Sequence, residues 1–585
     1  MHMRSLSPKI VDRLGRRLPL PRRHPLLTRR AGRNQSMVSM KRVEGVFVGV
    51  VNWPETQEHA RIVRGERGPR ASLRATHPSG LTHTHASFTH TCTYIGYDYP
   101  AVLTLALGFF NAQRSGHLPP ANPVPWRGDS ALGDAAAGRS LAGGFYDAGD
   151  HLKLHLPLAW SLSNLAWAMV AFPDAFPRGG DAARSAAATL KWGAAYLMAC
   201  NLGAGRFVAQ VGSEGADHGY WGRPEDMAMP RPVLVVDGPG GKPGSDVVGG
   251  AVAALAATAV ALKHTDPAFA SACVASARDL YGLATTYEGT YSSALPVGNL
   301  YPSSSYLDEL AWAAAWLGRA TSGEQPGGGS PTTAGTSAWF LVRARSYWGR
   351  AGAEHRGLAN SLAHFWSETY AAAAVLLAAD TGGPEYSAYL WRFAQAHVGG
   401  SWPLSYTPAG LSYRHQWGSL RMATGSATVI AAFGALLAPT DPGTARKFSC
   451  WARGQVRYAL GDTGRSFVAG YGARPPMRPH HRAASCPPFT PGTAGRNSPT
   501  CGHEAFVNPG PNPNVLTGAL IGGPDAADAF VDARDDYVKC EVALDYQAAF
   551  VGALAGVVAS GPGETWGACL AAFPGALRPI KRVGV

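Results

Sequence analysis

Leu158, Leu162, Leu165 and Met169 fall 4, 3 and 4 residues apart, so they share one face of an α-helix. Leu310, Ala314 and Leu317 repeat the spacing, and so do Tyr546, Phe550, Leu554 and Val557. Alanine-rich apolar runs of the same character recur near 186–199, 249–263, 371–379, 387–397 and 424–438, separated by long Gly- and Pro-rich loops. Alternation of period two, the mark of a half-buried strand, is rare. The pattern predicts an all-helical body from Tyr94 to about residue 575, with its chemistry on the loops. Residues 576–585 are left as a short tail.

Residues 1–93 lack sustained periodicity and end in a Thr/His-rich stretch, "THPSGLTHTHASFTHT". His83 and His85 have no carboxylate or cysteine cluster beside them, so this stretch reads as a solvated linker rather than a metal site. The low-complexity break "TSGEQPGGGSPTTAGTS" (321–337) reads as a long loop between helices, because the helical pattern resumes after it. "GPGGKPGS" (238–245) lacks the spacing of a phosphate loop, which argues against nucleotide binding.

Charge changes this picture only once it is located. The net charge of +13 resembles a nucleic-acid signal, but residues 1–90 hold 17 Lys and Arg against 5 Asp and Glu. The rest of the chain is nearly neutral and has no basic field to attract phosphates, so no nucleic-acid partner is expected. The eight cysteines include no CxxC pair, which argues against zinc. Cys486 and Cys501 flank a Pro/Gly/Ser-rich loop, a spacing that suits a disulfide clip and equally suits two free thiols. No apolar run reads as long enough to span a membrane. The start at Met1 does not resemble a signal peptide. The Arg-rich segment is expected to be a disordered tail, a targeting segment, or a stretch upstream of the true start. The 16 Trp in a chain with 16% charged residues suit flat apolar faces offered to a ligand, or simply a large core.

The chemistry concentrates in "GGFYDAGDHLKLHLP" (143–157), where Asp147 and Asp150 lie three residues apart in a glycine-rich turn. Like charges this close disfavour each other's ionisation, so a pair needs a reason. Inverting hydrolysis of a glycosidic bond supplies one. It needs a carboxylate to deprotonate water, and a carboxylic acid on the far side of the bond to protonate the leaving oxygen. Two aspartates on one turn suit the water-holding side, and the acid must come from elsewhere. Glu541, in "DAFVDARDDYVKCEVALDYQAAF", is the candidate, read as opening the helix that carries Tyr546 and Phe550. A helix N-terminus favours the ionised form, so burial or a neighbouring charge must dominate if this residue is to hold its proton.

"GGFYDAGDHLKLHLPLAWSLSNLAW" closely resembles the base-bearing segment of glycoside hydrolase family 9, the endo-β-1,4-glucanases. "YGARPPMRPHHRAASC" resembles that family's histidine signature and "DAFVDARDDYVKCEVALDY" its acid signature. Further matches follow in order: "FFNAQRSGHLPPANPVPWRGDSAL", "QVGSEGADHGYWGRPEDM", "WGSLRMATGSA" and "NPNVLTGALIGGPD", within residues 94–575. The resemblance implies an (α/α)6 barrel, a six-hairpin toroid whose long loops form a substrate cleft. It implies Asp150 as general base, Asp147 as holder of the water and Glu541 as general acid. It also implies His480 and Arg482 as partners of sugar hydroxyls, and His218 and Trp221 as cleft residues, Trp221 as a stacking platform. His481 fills a variable place in the motif and receives no role.

The family pattern is broken in places. Gln547 stands where Asn is usual, Cys540 where Asn commonly precedes the acid, and Gly250 at an acidic position. Some members bind calcium through a Ser-Gly…Asp-Glu run. Here the run is "SSSYLDEL", with Ser305 for Gly, Asp308 and Glu309 retained, and Ser367 in place of a further Asp. No cofactor or catalytic metal is therefore expected, and a structural calcium is left in doubt. The reading is a monomeric, secreted endo-β-1,4-glucanase acting on soluble or amorphous β-glucan. An exo-acting hydrolase on the same barrel and a non-catalytic glucan-binding protein are the alternatives. Retention of all three carboxylates argues against the last.

Overall fold

The computed structural model describes residues 40–43, 46–49 and 96–583, except 324–332, 356, 358–359, 401–403, 490–500 and 562–563. The chain divides into two units, Met1–Thr89 and His90–Val585. In the first, Met40–Val43 pairs antiparallel with Val46–Gly49, a hairpin that the sequence reading of an unpatterned tail did not contain. His83 and His85 lie outside the described residues.

Among the described residues of the second unit, twelve helices have twelve or more residues. In chain order they are α1 (Tyr99–Ala112), α2 (His155–Ala171), α3 (Asp181–Cys200), α4 (Ser245–Leu262), α5 (Pro267–Thr286) and α6 (Leu307–Ala320). Then come α7 (Ser337–Glu354), α8 (Tyr370–Thr381), α9 (Pro384–Gly399), α10 (Ser419–Leu437), α11 (Pro442–Leu460) and α12 (Leu544–Ala559). The even-numbered helices pack in a closed ring, α2 on α4, α4 on α6, and so on until α12 returns to α2. The odd-numbered helices lie outside, each against an inner neighbour. This is the (α/α)6 barrel that the sequence resemblance implies.

Composition separates the two rings. The inner helices are buried almost all round: in α4 every residue from Ser245 to Ala259 is buried. Such a helix carries no polar stripe, which is why its periodicity is weak. Small residues let the inner helices approach closely. A Cβ on Gly250 would come 3.3 Å from Cβ of Ala159 on α2. A side chain there would press on Ala159, which would have to give by a few tenths of an ångström. Four of the six outer helices, α1, α5, α7 and α11, carry side-chain N-caps. Asp98, Asp266 and Asp441 accept from the backbone N–H of Ala101, Phe269 and Thr444, each with Pro in the first turn.

Two corrections follow. Helices α4 and α10 are long and apolar enough by length and composition to cross a bilayer, contrary to the reading that no run is. Both are mostly buried in the barrel, which accounts for their apolarity. The last residues are also tied down: Leu577 is buried, and the N–H groups of Lys581 and Val583 donate to the carbonyls of Ala409 and Thr463.

Two disulfides close the structure. Cys486–Cys501 clips the Pro/Gly/Ser-rich loop, resolving the alternatives left by its spacing. Cys450–Cys569 joins α11 to a short helix near the C-terminus across 119 residues and had no signal in the sequence.

The inner ring also buries a carboxyl group, Glu309, that makes no ion pair among the described residues. Neither oxygen of Glu309 on α6 has a hydrogen-bond partner. Burial first, then Asp308 and Asp246, push its pKa well above the ordinary value of 4.5. An acid whose folded pKa is raised binds its proton more tightly folded than unfolded. Its contribution is therefore complete below about pH 4.5 and is lost as pH rises, by up to about 1.4 kcal/mol per pH unit. Glu309→Gln should raise the melting temperature at pH 7 and leave it nearly unchanged at pH 4. Thermal melts at both pH values check this, and an equal loss at both would refute it.

Candidate active site

Three loop segments far apart in sequence meet at one end of the barrel, and main-chain hydrogen bonds join them pairwise. The N–H of Arg482 donates to the carbonyl of Gly149 at 2.9 Å, the N–H of His480 to that of Cys540 at 2.9 Å, and the N–H of Leu544 to that of Asp147 at 2.9 Å. The aspartate turn, the histidine segment and the acid segment thus form a closed triangle. Gly149 is obligatory in it, because a Cβ there would lie 2.1 Å from the carbonyl oxygen of His480.

Side chains fix the turn further. The Gln113 amide N–H group donates to the carbonyls of Tyr146 and Ala148, at 3.2 and 2.6 Å. His481, left without a role in the sequence reading, holds Gln113. Its Nδ1 accepts from the N–H of Ala484, so Nε2 carries the proton and donates to Gln113 Oε1 at 2.8 Å. Burial lowers its pKa to about 3, which keeps the ring neutral. The motifs around the turn supply buried ion pairs. Asp134 takes Lys153 at 2.8 Å and Arg231 at 2.7 Å, while Arg127 takes Glu225 at 2.7 Å. Lys153–Leu154 then pairs antiparallel with Gln210–Val211, the strand that leads to Asp217 and His218.

Asp147 is buried, and its Oδ2 accepts from the Tyr301 hydroxyl at 2.7 Å. Its Oδ1 has no partner. Burial first, then the Asp150 charge, raise its pKa well above the ordinary value, against the Tyr301 hydrogen bond. Asp150 is only partly buried, and His218 Nε2 stands 3.5 Å from its Oδ2. The hydrogen bond to Asp150 raises the His218 pKa, against the opposing effect of burial.

Glu541 does not open the helix, as the sequence reading had it. It is the residue after the short helix Tyr537–Cys540, has extended backbone, and bridges to His480, while α12 starts only at Leu544. The conflict with the helix dipole is thereby removed. Burial and the Asp150 charge lift its pKa to about 8, so it keeps its proton at neutral pH. Asp545, the second residue of α12, is buried in an ion pair with Arg421 at 2.8 Å.

Trp221 and His480 meet edge to face with centroids 5.2 Å apart, and Phe506 lies 4.6 Å from Trp221. The Trp221 indole N–H donates to Ser485 Oγ at 2.9 Å. His480 Nδ1 is 2.7 Å from the carbonyl of Arg534, and burial lowers its pKa to about 4. Arg482 is buried, donates to Asp217 Oδ1, and lies over the Trp221 ring. The structure therefore brings together all seven residues expected from sequence. It adds Tyr301, Asp217, Gln113 and Arg421. Gln113, Asp217 and Arg421 lie within motif matches, but nothing in those motifs gave them a role; Tyr301, 154 residues from Asp147, lies outside them all.

The departures are accommodated. Gln547 is fully buried and accepts from the N–H of Leu520, and it donates to the carbonyls of Ala106 and Gly518. The Cys540 thiol donates to the carbonyl of Val531 and accepts from the N–H of Ala533. The calcium run fits less well. Asp308 Oδ2 accepts from the N–H of Thr369, and Ser305 Oγ from the N–H of Leu307. Among the described residues, neither Asp308 nor Glu309 joins two further ligand atoms within 4.8 Å. Asp150, Asp217 and His218 do lie within that distance of one another, but Arg482 already sits on Asp217. Cys450, Cys569 and Glu564 also cluster, with both sulfurs in a disulfide.

Residues 99–554 match the family model for glycosyl hydrolase family 9. Endoglucanase B of Cellulomonas fimi is 35% identical over 491 residues, which are 82% of this chain and 43% of that protein. The chain thus spans less than half of that relative. An endoglucanase from the termite Nasutitermes takasagoensis superposes with a TM-score of 0.70 at 38% identity, over 80% of this chain and all of that one. Endoglucanase CelQ from Clostridium thermocellum, complexed with cellotetraose, gives a TM-score of 0.66 at 32% identity, over 80% of this chain and 72% of that one. Family match, barrel and converging carboxylates agree: the chain belongs to glycosyl hydrolase family 9 and is a glycoside hydrolase of the endoglucanase type.

Proposed function

We propose that the chain cleaves internal β-1,4-glucosidic bonds by inversion, with Asp150 as base, Asp147 orienting the water and Glu541 as acid. The observation that carries this is the division of protonation states. Glu541 holds its proton to about pH 8. Asp147 also resists ionisation, because burial and the Asp150 charge raise its pKa, while Asp150 is only partly buried and has His218 Nε2 3.5 Å from its Oδ2, a place open to water and to a base. Asp150 takes the proton from water while Asp147, held by Tyr301, fixes the direction of attack. Glu541 gives its proton to the leaving oxygen. The two roles require opposite charge states in one cleft, and burial supplies the difference.

His218, Trp221 and His480 offer a mixed aromatic and polar wall suited to a pyranose ring. CelQ's cellotetraose supports a β-glucan as the polymer bound. Arg482 acts chiefly through Asp217, holding the wall beside the base. No step uses a metal or cofactor. We infer secretion from the two disulfides, which persist in oxidising compartments. The monomeric state stays part of this reading.

Asp150→Asn should retain the fold and lose carboxymethylcellulose hydrolysis by at least about 10²-fold, the lower end of a general base's contribution. Circular dichroism with reducing-sugar assays checks this, and near-parental turnover in the folded variant would remove Asp150 from the base role. Activity should fall as pH rises through about 8, where Glu541 loses its proton. Glu541→Gln should abolish cleavage of glucan but spare an aryl glycoside whose leaving group needs no proton. Equal losses on both substrates would count against Glu541 as the acid.

A further inference from the structure

Behind the aspartate turn, on its outer side, a cavity of about 500 Å³ opens between α3 and the segment 142–143. Trp192 and Tyr196 from α3 and Phe269 from α5 line it, with Arg114 and Lys191 as its cationic groups. Lys191 is already satisfied, 2.6 Å from Asp266. Arg114 is not. Its residue exposure is 6%, its Nε has no hydrogen-bond partner, and its guanidinium lies 4.9 Å from the Trp192 ring centroid. Burial lowers its pKa with no opposing carboxylate. A buried charge without a counter-charge costs several kcal/mol, and Arg is the side chain best shaped to receive a carboxylate in two parallel hydrogen bonds.

We propose that this cavity is a binding site for a small aromatic carboxylate, its carboxylate on Arg114 and its ring against the aromatic walls. The volume falls in the range of small-molecule sites, about 300–1,000 Å³. A carboxylated sugar shares the anion but would bring several hydroxyls, and the alanines that α3 contributes to the wall offer them no partners. The site is separate from the cleft yet touches it structurally. Gly143 lies in the cavity wall, and the Trp192 indole N–H donates to the carbonyl of Gly144, three residues before Asp147.

Calorimetric titration of the full chain with 4-hydroxybenzoate, 4-hydroxybenzamide and glucuronate tests this. 4-Hydroxybenzoate should bind at least about tenfold more tightly than either of the others, because only it supplies both the charge and the flat ring. Equal binding of acid and amide, or no binding of the acid, would overturn the proposal. Tighter binding of glucuronate would overturn the aromatic class. Arg114→Gln should remove binding. Because Arg114 also packs in the fold, Ala195→Trp gives an independent check: Ala195 is an exposed wall position outside the catalytic machinery. That variant should lose 4-hydroxybenzoate binding and keep carboxymethylcellulose hydrolysis. Undiminished binding by it would place the site elsewhere and refute the assignment.

Discussion

The active site depends on three main-chain hydrogen bonds that tie the aspartate turn, the histidine segment and the acid segment to one another. Each segment is a loop, and loops alone hold side chains poorly. Joined as a triangle, no segment can shift without breaking a buried backbone hydrogen bond, which costs about 1–3 kcal/mol if left unpaired. Gly149 makes the closest approach of the three segments feasible. Gln113 and His481 then pin the turn from behind, so the positions of Asp147 and Asp150 are set by backbone geometry rather than by their own contacts.

That rigidity matters because the site's electrostatics oppose it. Asp147, Asp150, Asp217 and Glu541 share one region, and burial first, then the Asp150 charge, raise the pKa values of Asp147, Asp217 and Glu541. Arg482 and the raised-pKa His218 offset part of this charge. Burial, helped by the remaining charge, is what holds a proton on Glu541. Buried ion pairs around Asp134, Glu225 and Asp545 carry the framework without entering the reaction. The inner helix ring contributes a dry, closely packed base on which these loops stand.

Much of the fold was legible in the sequence. The spacing of Leu158, Leu162, Leu165 and Met169 marks α2, and similar runs mark most of the barrel helices. The inner helices blur the signal, since a helix buried on all sides has no polar face to contrast. For the same reason α4 and α10 mimic membrane spans. The motifs singled out Asp147, Asp150 and Glu541, but not the element that carries the proposed acid: "CEVALDY" reads as continuous helix, whereas the bridge to His480 holds Glu541 extended. Tyr301 and the Cys450–Cys569 bond were not legible, and Asp217 lay in a motif without a role, because each depends on a partner brought close only by barrel closure. Replacement of Asn by Gln547 is read as a departure in sequence, and in space it is a fully bonded buried amide.

The central claim is that base and acid stand on separate segments and act on opposite faces of the sugar. Such an arrangement admits a water between carboxylate and anomeric carbon and forms no covalent sugar–enzyme intermediate. Proton NMR of the first product released from a soluble β-1,4-linked oligosaccharide tests this most directly, before mutarotation mixes the anomers. The account predicts the α-anomer. Initial release of the β-anomer would contradict it.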